Sequence, residues 1–447
     1  MNIGIKSLGC PKNLVDTEVM CGKLLEKGYS VSGDIENSDI AIINTCSFIE
    51  EAVEESIAEI MNLVKLKNDG KIKHIIVTGC FPQRYIKENI DKELPEVDAF
   101  IGVSEFPKID RIIRKVLQKN KVCEVGSVPN YLYNHKTPRI LLTPQHYAYV
   151  KIAEGCDNRC TYCMIPELRG PYRSRKIEDI IDEVKKISEN KQLREIILIA
   201  QDTTLYGYDI YGEYKLAELL KRLSILKIDH VKWIRVLYTH PAHYFDELIE
   251  VMASNPKICP YLDIPLQHIN DKILIKMNRK IKRYEIREII DKSRKRIPYL
   301  NLRTTCIVGF PGETEKAFNE LLSYIKEIKF DKLGAFIYSR EKGTPAYNFK
   351  PQVSLKVKKR RIETLMLAQQ QISKEKNQSY IGKTLEVLID EVSENSREIY
   401  PTIGRTINDA PEIDGKVFIN TRKFTPGDFV KVKIIRSTEY DLYGEIV

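Results

Sequence analysis

The sequence predicts an α/β protein of three parts: an N-terminal open parallel α/β domain, a central partial (β/α)6 barrel, and a small antiparallel β-barrel. Three observations predict it. Short apolar runs alternate with helical patterns over residues 1–126, and a second, longer alternation fills 148–372. Such alternation builds parallel sheets covered by helices, because parallel neighbours need a crossover. Over 375–447 the runs become short and are punctuated by IGK, TIGR, DGK and TPGD. Turn-rich spacing of that kind marks a small barrel.

In the first part the strand-like runs are NIGIKSLG, DIAIINT, HIIVTG and VDAFIGV, with helical patterns at 14–27, 48–67, 83–92 and 105–119. Ser47 followed by Glu50 has the form of a capping box opening the second helix. The first three runs end in Cys10, Cys46 and Cys80, spaced by 36 and 34 residues, about one βαβ unit each. In an open parallel sheet the carboxyl ends of the strands share one edge, so the three cysteines should meet in space. Spacing alone leaves two readings: a three-thiolate cluster site, or three buried core cysteines. Cys21 falls mid-helix, and Cys123, Cys259 and Cys306 have no partners at suggestive spacing.

Residues 127–147 read as a linker rich in Pro and Tyr. AYVKIA, EIILIA, KWIRVL, YLDIPL, LRTTCIVG and LGAFIY are the next strands, separated by helical stretches at 177–190, 215–226, 244–254, 271–276 with 283–296, and 314–329. Six such units are too few for the usual closed eight-stranded barrel, and an open side suits a macromolecular substrate. A long polar helix over 353–378 precedes the last part.

The first barrel strand runs into GCDNRCTYC, which places Cys156, Cys160 and Cys163 at the mouth where barrel enzymes carry their chemistry. Three close thiolates can hold three corners of an iron–sulfur cubane and leave the fourth iron open. A CxxC pair can also be a zinc half-site or a redox dithiol. Zinc would need a fourth ligand, and the next candidates, Cys259, His230, His240 and His243, are distant in sequence.

Composition describes an ordinary soluble chain, 43% hydrophobic and 30% charged. No apolar run approaches the roughly 18 residues of a membrane span, and MNIGIKSLGCPKN lacks the apolar core of a signal peptide. The expectation is a cytoplasmic protein with no membrane partner, whose ten cysteines serve metal or redox chemistry. Net charge is +9, but residues 375–447 carry 10 Lys+Arg against 13 Asp+Glu. The basic runs KVKKRR (356–361) and SRKR (293–296) read as solvated helix faces or as attraction to an acidic assembly.

With both trios placed, the chain resembles the methylthiotransferases of the radical S-adenosylmethionine superfamily over essentially its whole length. LGCPKN, INTC and VTGC resemble that family's three N-terminal motifs. The resemblance implies two 4Fe–4S clusters, one on Cys10, Cys46 and Cys80 and one on Cys156, Cys160 and Cys163, with S-adenosylmethionine at the second. SLGCPKNLVDTE, AEGCDNRCTYCMIPELRG, QDTTLYG, DIPLQH and TTCIVGFPGET resemble the ribosomal-protein branch, with His268 where tRNA-modifying relatives typically carry a serine-type residue. That branch implies methylthiolation of an aspartate β-carbon in a basic small-subunit ribosomal protein. Breaking such a C–H bond needs a radical, because pKa tuning moves groups by only about 3–5 units.

The resemblance also implies an external electron donor such as flavodoxin or ferredoxin. Tyr162 is a candidate to pack on the cluster or the adenine, or is a simple loop aromatic. Gln201 and Asp202 end a barrel strand and are candidates for the cofactor's ribose or amino-acid part. Gly309, Pro311 and Gly312 would let backbone approach the cofactor, or simply form a tight turn. No acid or base is assigned. The acidic last part suits a basic protein better than nucleic acid, since RNA modules show a basic face. The alternatives are a tRNA adenosine methylthiotransferase and, in another class, an iron–sulfur carrier or scaffold.

Overall fold

The computed structural model describes residues 1–395 and 397–447. In the first unit β1 (Asn2–Ser7), β2 (Ser30–Ser32), β3 (Ile40–Thr45), β4 (His74–Gly79), β5 (Ala99–Ile101) and β6 (Val122–Glu124) form one parallel sheet ordered β2-β1-β3-β4-β5-β6. β3 and β4 are nearly continuous Ile, Val and Ala because helices cover both faces. β2 and β6 carry no apolar run and were not legible as strands.

The helix expected at 14–27 spans Pro11–Glu26, opened by Pro11 at its first position. The expected capping box is absent. The second helix starts at Glu50 with Ile49 as its cap, and the buried Ser47 hydroxyl has no partner among the described residues. Ser56 instead reaches back from that helix to the Cys46 carbonyl, 2.7 Å away, which fixes the loop at the cysteine. The pattern at 83–92 is broken into Cys80–Tyr85, Ile86–Glu88 and Ile90–Glu93, because Asn89 takes a left-handed conformation at φ +62°.

The stretch 127–147 is packed rather than loose. Arg139 is buried between Glu18 and Glu183, at 2.6 Å from each, and Tyr133 lies beneath the Arg175 guanidinium. β7 opens at Tyr147.

The core strands are β7 (Tyr147–Lys151), β8 (Ala153–Glu154), β9 (Arg173–Ser174), β10 (Glu195–Ile199), β11 (Trp233–Val236), β12 (Tyr261–Asp263), β13 (Asn301–Val308) and β14 (Lys332–Ile337). Parallel sheets β7-β10-β11 and β12-β13-β14 join through an Ile234–Ile258 bridge, giving the six-stranded partial barrel. β8 and β9 pair as a short ladder at its mouth.

Finally β15 (Thr384–Val392), β16 (Thr402–Thr406), β17 (Val417–Ile419), β18 (Phe429–Ser437) and β19 (Leu442–Ile446) close a five-stranded barrel. It is antiparallel except for the parallel β17–β19 pair. It docks on the starts of the core strands: Trp233 meets Phe429, Tyr261 donates to Asp414 at 2.6 Å, and Arg405 pairs with the buried Glu195. The acidic barrel is therefore anchored at the end of the core away from the cysteine loops.

Candidate active site

The loop after β8 is shaped to present three sulfurs. Gly155 has φ +82°, and a Cβ there would lie 2.1 Å from the Pro171 carbonyl oxygen, so only glycine passes. Cys156 N–H donates to the Gly170 carbonyl at 3.2 Å. Asn158 donates to Asp202 at 2.7 Å, and Asn278 donates back to the Asn158 and Arg159 carbonyls. The Cys163 sulfur accepts from Ile165 N–H at 3.4 Å, and the Cys160 sulfur from the Arg279 guanidinium at 3.8 Å. Burial pushes the Cys156 thiol up to about 12, with the Asp202 and Cys160 charges adding to it, and burial with the Cys160 and Cys156 charges pushes the Cys163 thiol up as well. A cationic metal centre reverses that balance, since a coordinated thiol is deprotonated.

The other trio lies at the carboxyl edge of the first sheet. Cys10 caps the helix Pro11–Glu26, Cys46 follows β3, and Cys80 is the first residue of its helix. Two of the three thus meet positive helix ends. Gly9 takes φ +81°, and a Cβ on it would come within 2.7 Å of the Cys46 Cβ, so its smallness brings the two loops together. Asn13 ties the loops by donating to the Leu8 and Thr45 carbonyls at 3.1 and 2.9 Å.

A single segment joins the trios. Cys80 packs with Val103, Met164 and Leu168, so the residues just after Cys163 touch the first trio. The helix Ile165–Arg169 then carries the buried Arg169 to Asp16, at 2.6 Å, and to Asn13. The Cys80 and Cys10 thiols are among the charges that hold Arg169 ionised, after burial, which opposes it. Lys151 bridges Asp16 and Glu154 at 2.5 Å each. For Glu154, burial alone would raise the pKa, but Lys151 and Arg169 hold it near 2.

The sulfur spread argues against a single zinc. Among the described residues, the one group of three whose ligand atoms all lie within 4.8 Å is Asp202, His240 and His243, so neither sulfur trio is drawn that close. Tetrahedral zinc with Zn–S bonds of about 2.3 Å needs sulfurs about 3.8 Å apart, and a cubane's corners are wider. Asp202 itself is saturated: it accepts from Asn158, His243, Thr204 and Leu205 N–H, at 2.6–3.1 Å. It posts the cysteine loop through Asn158.

The other candidate positions fall as follows. Gln201 donates to Glu154 at 2.6 Å, and its buried carbonyl oxygen has no partner. Tyr162 packs edge-on against Phe310 at 6.5 Å, in a cluster with Ile273 and Met277. At Gly309 a Cβ would lie 2.3 Å from Lys358, and the Gly309 and Phe310 amides are both taken by Glu313. Pro311 and Gly312 complete that turn, with Gly312 N–H on the Pro351 carbonyl at 2.9 Å. The turn thus packs against Lys358 and the Pro351 carbonyl. His268 is fully buried, its Nδ1 accepting from Ile269 and Asn270 N–H and its Nε2 unpartnered. His240 Nε2 and Arg279 Nε are buried without partners beside the second trio.

Residues 150–325 match the Radical SAM superfamily, 2–102 the Uncharacterized protein family UPF0004, and 381–447 the TRAM domain. The chain is 49% identical over 447 residues to the ribosomal protein uS12 methylthiotransferase RimO of Desulforamulus reducens, covering 100% of this chain and 99% of that one. It belongs to the RimO family. RimO of Clostridioides difficile is 47% identical over 100% of this chain and 99% of that one. The radical S-adenosylmethionine methyltransferase TsrM of Kitasatospora setae shares the fold with a TM-score of 0.55 at 12% identity, over 77% of this chain and 76% of that one.

RimO-family enzymes use two 4Fe–4S clusters and S-adenosylmethionine. The residues here fit: each trio offers three thiols, with Arg169 beside one and Arg279 beside the other to offset anionic charge. The unpartnered donors of His240 and Arg279 are free for a bound cofactor.

Gly155→Ala will disrupt the cysteine loop, because both the backbone conformation and the Pro171 carbonyl exclude a methyl group. Reconstituted G155A is expected to hold about four irons rather than about eight, by colorimetric iron analysis. The Glu154 network should also show in acid. A depressed carboxylate stabilises the fold above its unfolded value of 4.5, and that contribution is lost as pH falls toward 2. E154Q, which leaves Lys151 and Arg169 underpaired, should cost about 3 kcal/mol at neutral pH. The difference from wild type in the thermal midpoint of the iron-free chain should shrink as pH drops from 6 to 3.

Proposed function

We propose that this chain methylthiolates the β-carbon of an aspartate in ribosomal protein uS12, with Cys156, Cys160 and Cys163 holding the S-adenosylmethionine cluster and Cys10, Cys46 and Cys80 holding the second. The observation that carries the reading is the junction at Met164–Arg169, which sets both trios against one segment. When bound, the clusters and S-adenosylmethionine supply an electron, a carbon-centred radical and the transferable sulfur.

The chain's own part is placement. Arg279 donates to the Cys160 sulfur, Asn158 and Asp202 fix the loop, and Arg169 spans to the first trio. The six core strands are not paired into a closed barrel, and a protein loop would enter on the unpaired side. The units are assigned as 1–126, a joining segment 127–147, a radical core over 148–372 and a TRAM-like barrel over 375–447. The donor of electrons is an external protein such as flavodoxin or ferredoxin, and the site of action is the cytoplasm. No helix among the described residues is long and apolar enough to cross a membrane.

An anaerobic assay with reductant, S-adenosylmethionine and either a uS12 peptide or tRNA tests this. Mass gain on the peptide alone supports it. Mass gain on tRNA alone selects the adenosine reading, and absence of S-adenosylmethionine cleavage selects the carrier.

A further inference from the structure

One buried cation in the junction has no counter-charge of its own. Lys12, two residues after Cys10, is 8% exposed. Among the described residues it is the one buried lysine or arginine with neither an ion pair nor a hydrogen-bond acceptor. The others all have one: Lys151, Arg169, Arg175, Arg235, Arg361 and Arg405 pair with carboxylates, and Arg279 and Lys358 donate to backbone carbonyls. Lys12 has only the face of Tyr238, with its ammonium 3.2 Å from the ring centroid.

Its charged surroundings come from both units: Cys10, Glu154, Arg169 and Asp263. The carboxylates among them are already engaged, Glu154 by Lys151 and Gln201, and Asp263 by Arg303 at 2.9 Å and Tyr238 N–H at 2.8 Å. Tyr238, which supports Lys12, sits in left-handed backbone at φ +61°, an uncommon state for a bulky residue, which the Asp263 bond to its amide holds in place. A strained aromatic thus holds a buried ammonium beside Cys10 that has no carboxylate partner and no hydrogen-bond acceptor of its own.

We propose that Lys12 receives the side-chain carboxylate of the target aspartate. The inference rests on the methylthiotransferase reading and names the group that recognises the substrate. The carboxylate carbon is bonded directly to the β-carbon that reacts, so holding the carboxylate at Lys12 sets the β-carbon beside the Cys10 trio. A lone buried ammonium gains a charge-assisted bond that no protein group supplies. Uncharged side chains in its place would leave the ammonium desolvated and unpaired, which penalises them.

The test is anaerobic anisotropy with reconstituted holoenzyme and two fluorescent uS12 peptides, one with the target aspartate and one with asparagine there. Wild type should bind the aspartate peptide roughly tenfold or more tighter, the value of one charged hydrogen bond. K12M should bring that ratio to near one while the asparagine peptide binds as before, and K12R should keep the preference. Equal binding of the two peptides by wild type overturns the proposal, as does a K12M that weakens both equally or keeps the ratio. Where K12M loses iron, the wild-type ratio and K12R decide alone. Failure of the functional reading looks different: wild type then binds neither peptide and makes no methylthiolated product.

Discussion

Replacing Cys156, Cys160 and Cys163 together by alanine will abolish S-adenosylmethionine cleavage and lower reconstituted iron from about eight atoms per chain to about four. The loss is complete because nothing nearby can substitute. Among the described residues the remaining cysteines of the core, Cys259 and Cys306, are buried within β12's approach and β13, and no third thiol joins them. His240 and His243 lie near, but His243 Nδ1 is bonded to Asp202 and His240 Nδ1 to Ala242 N–H, and two imidazoles do not replace three thiolates. The fold itself should survive, since the loop sits at the mouth while the core packs around Val150, Ile196, Leu198 and Ile234. Iron analysis, circular dichroism and chromatographic detection of 5′-deoxyadenosine read the three parts separately.

Replacing Cys10, Cys46 and Cys80 together will also leave about four irons, but with the opposite division of labour. S-adenosylmethionine cleavage persists, and sulfur transfer to the uS12 peptide falls to nothing. The first trio is on a different sheet, and its contacts with the second run through Met164 and Arg169 rather than through the cysteine loop itself. A triple variant that keeps all its iron would show that these thiols are core residues. One that loses cleavage as well would show that the two trios are not separable.

Both trios were legible because each follows from a local rule: contiguous spacing for one, and the shared edge of parallel strands for the other. The six-stranded core and the small barrel were legible from periodicity for the same reason. What was hidden depends on pairs distant in sequence. Lys12 stands inside LGCPKN, but its isolation appears only when Glu154 and Asp263 are seen to be engaged elsewhere.

Arg169 stands in the IPELRG string, yet its partners Asp16 and Asn13 lie more than 150 residues away. The glycines of GFPGE could be read equally as a cofactor approach or a turn, and Lys358, which decides what Gly309 faces, is on the far helix. The segment 127–147 looks loose by composition because Pro and Tyr dominate it, while the pairing of Arg139 with two buried glutamates is a tertiary event.

The most direct measurement of the central claim is anomalous diffraction at the iron edge from crystals of the reconstituted holoenzyme. The account requires two iron peaks of equal weight, one on Cys10, Cys46 and Cys80 and one on Cys156, Cys160 and Cys163, both opening onto the space beside Lys12. A single peak, or two peaks separated by packed core with no open path between them, would contradict it.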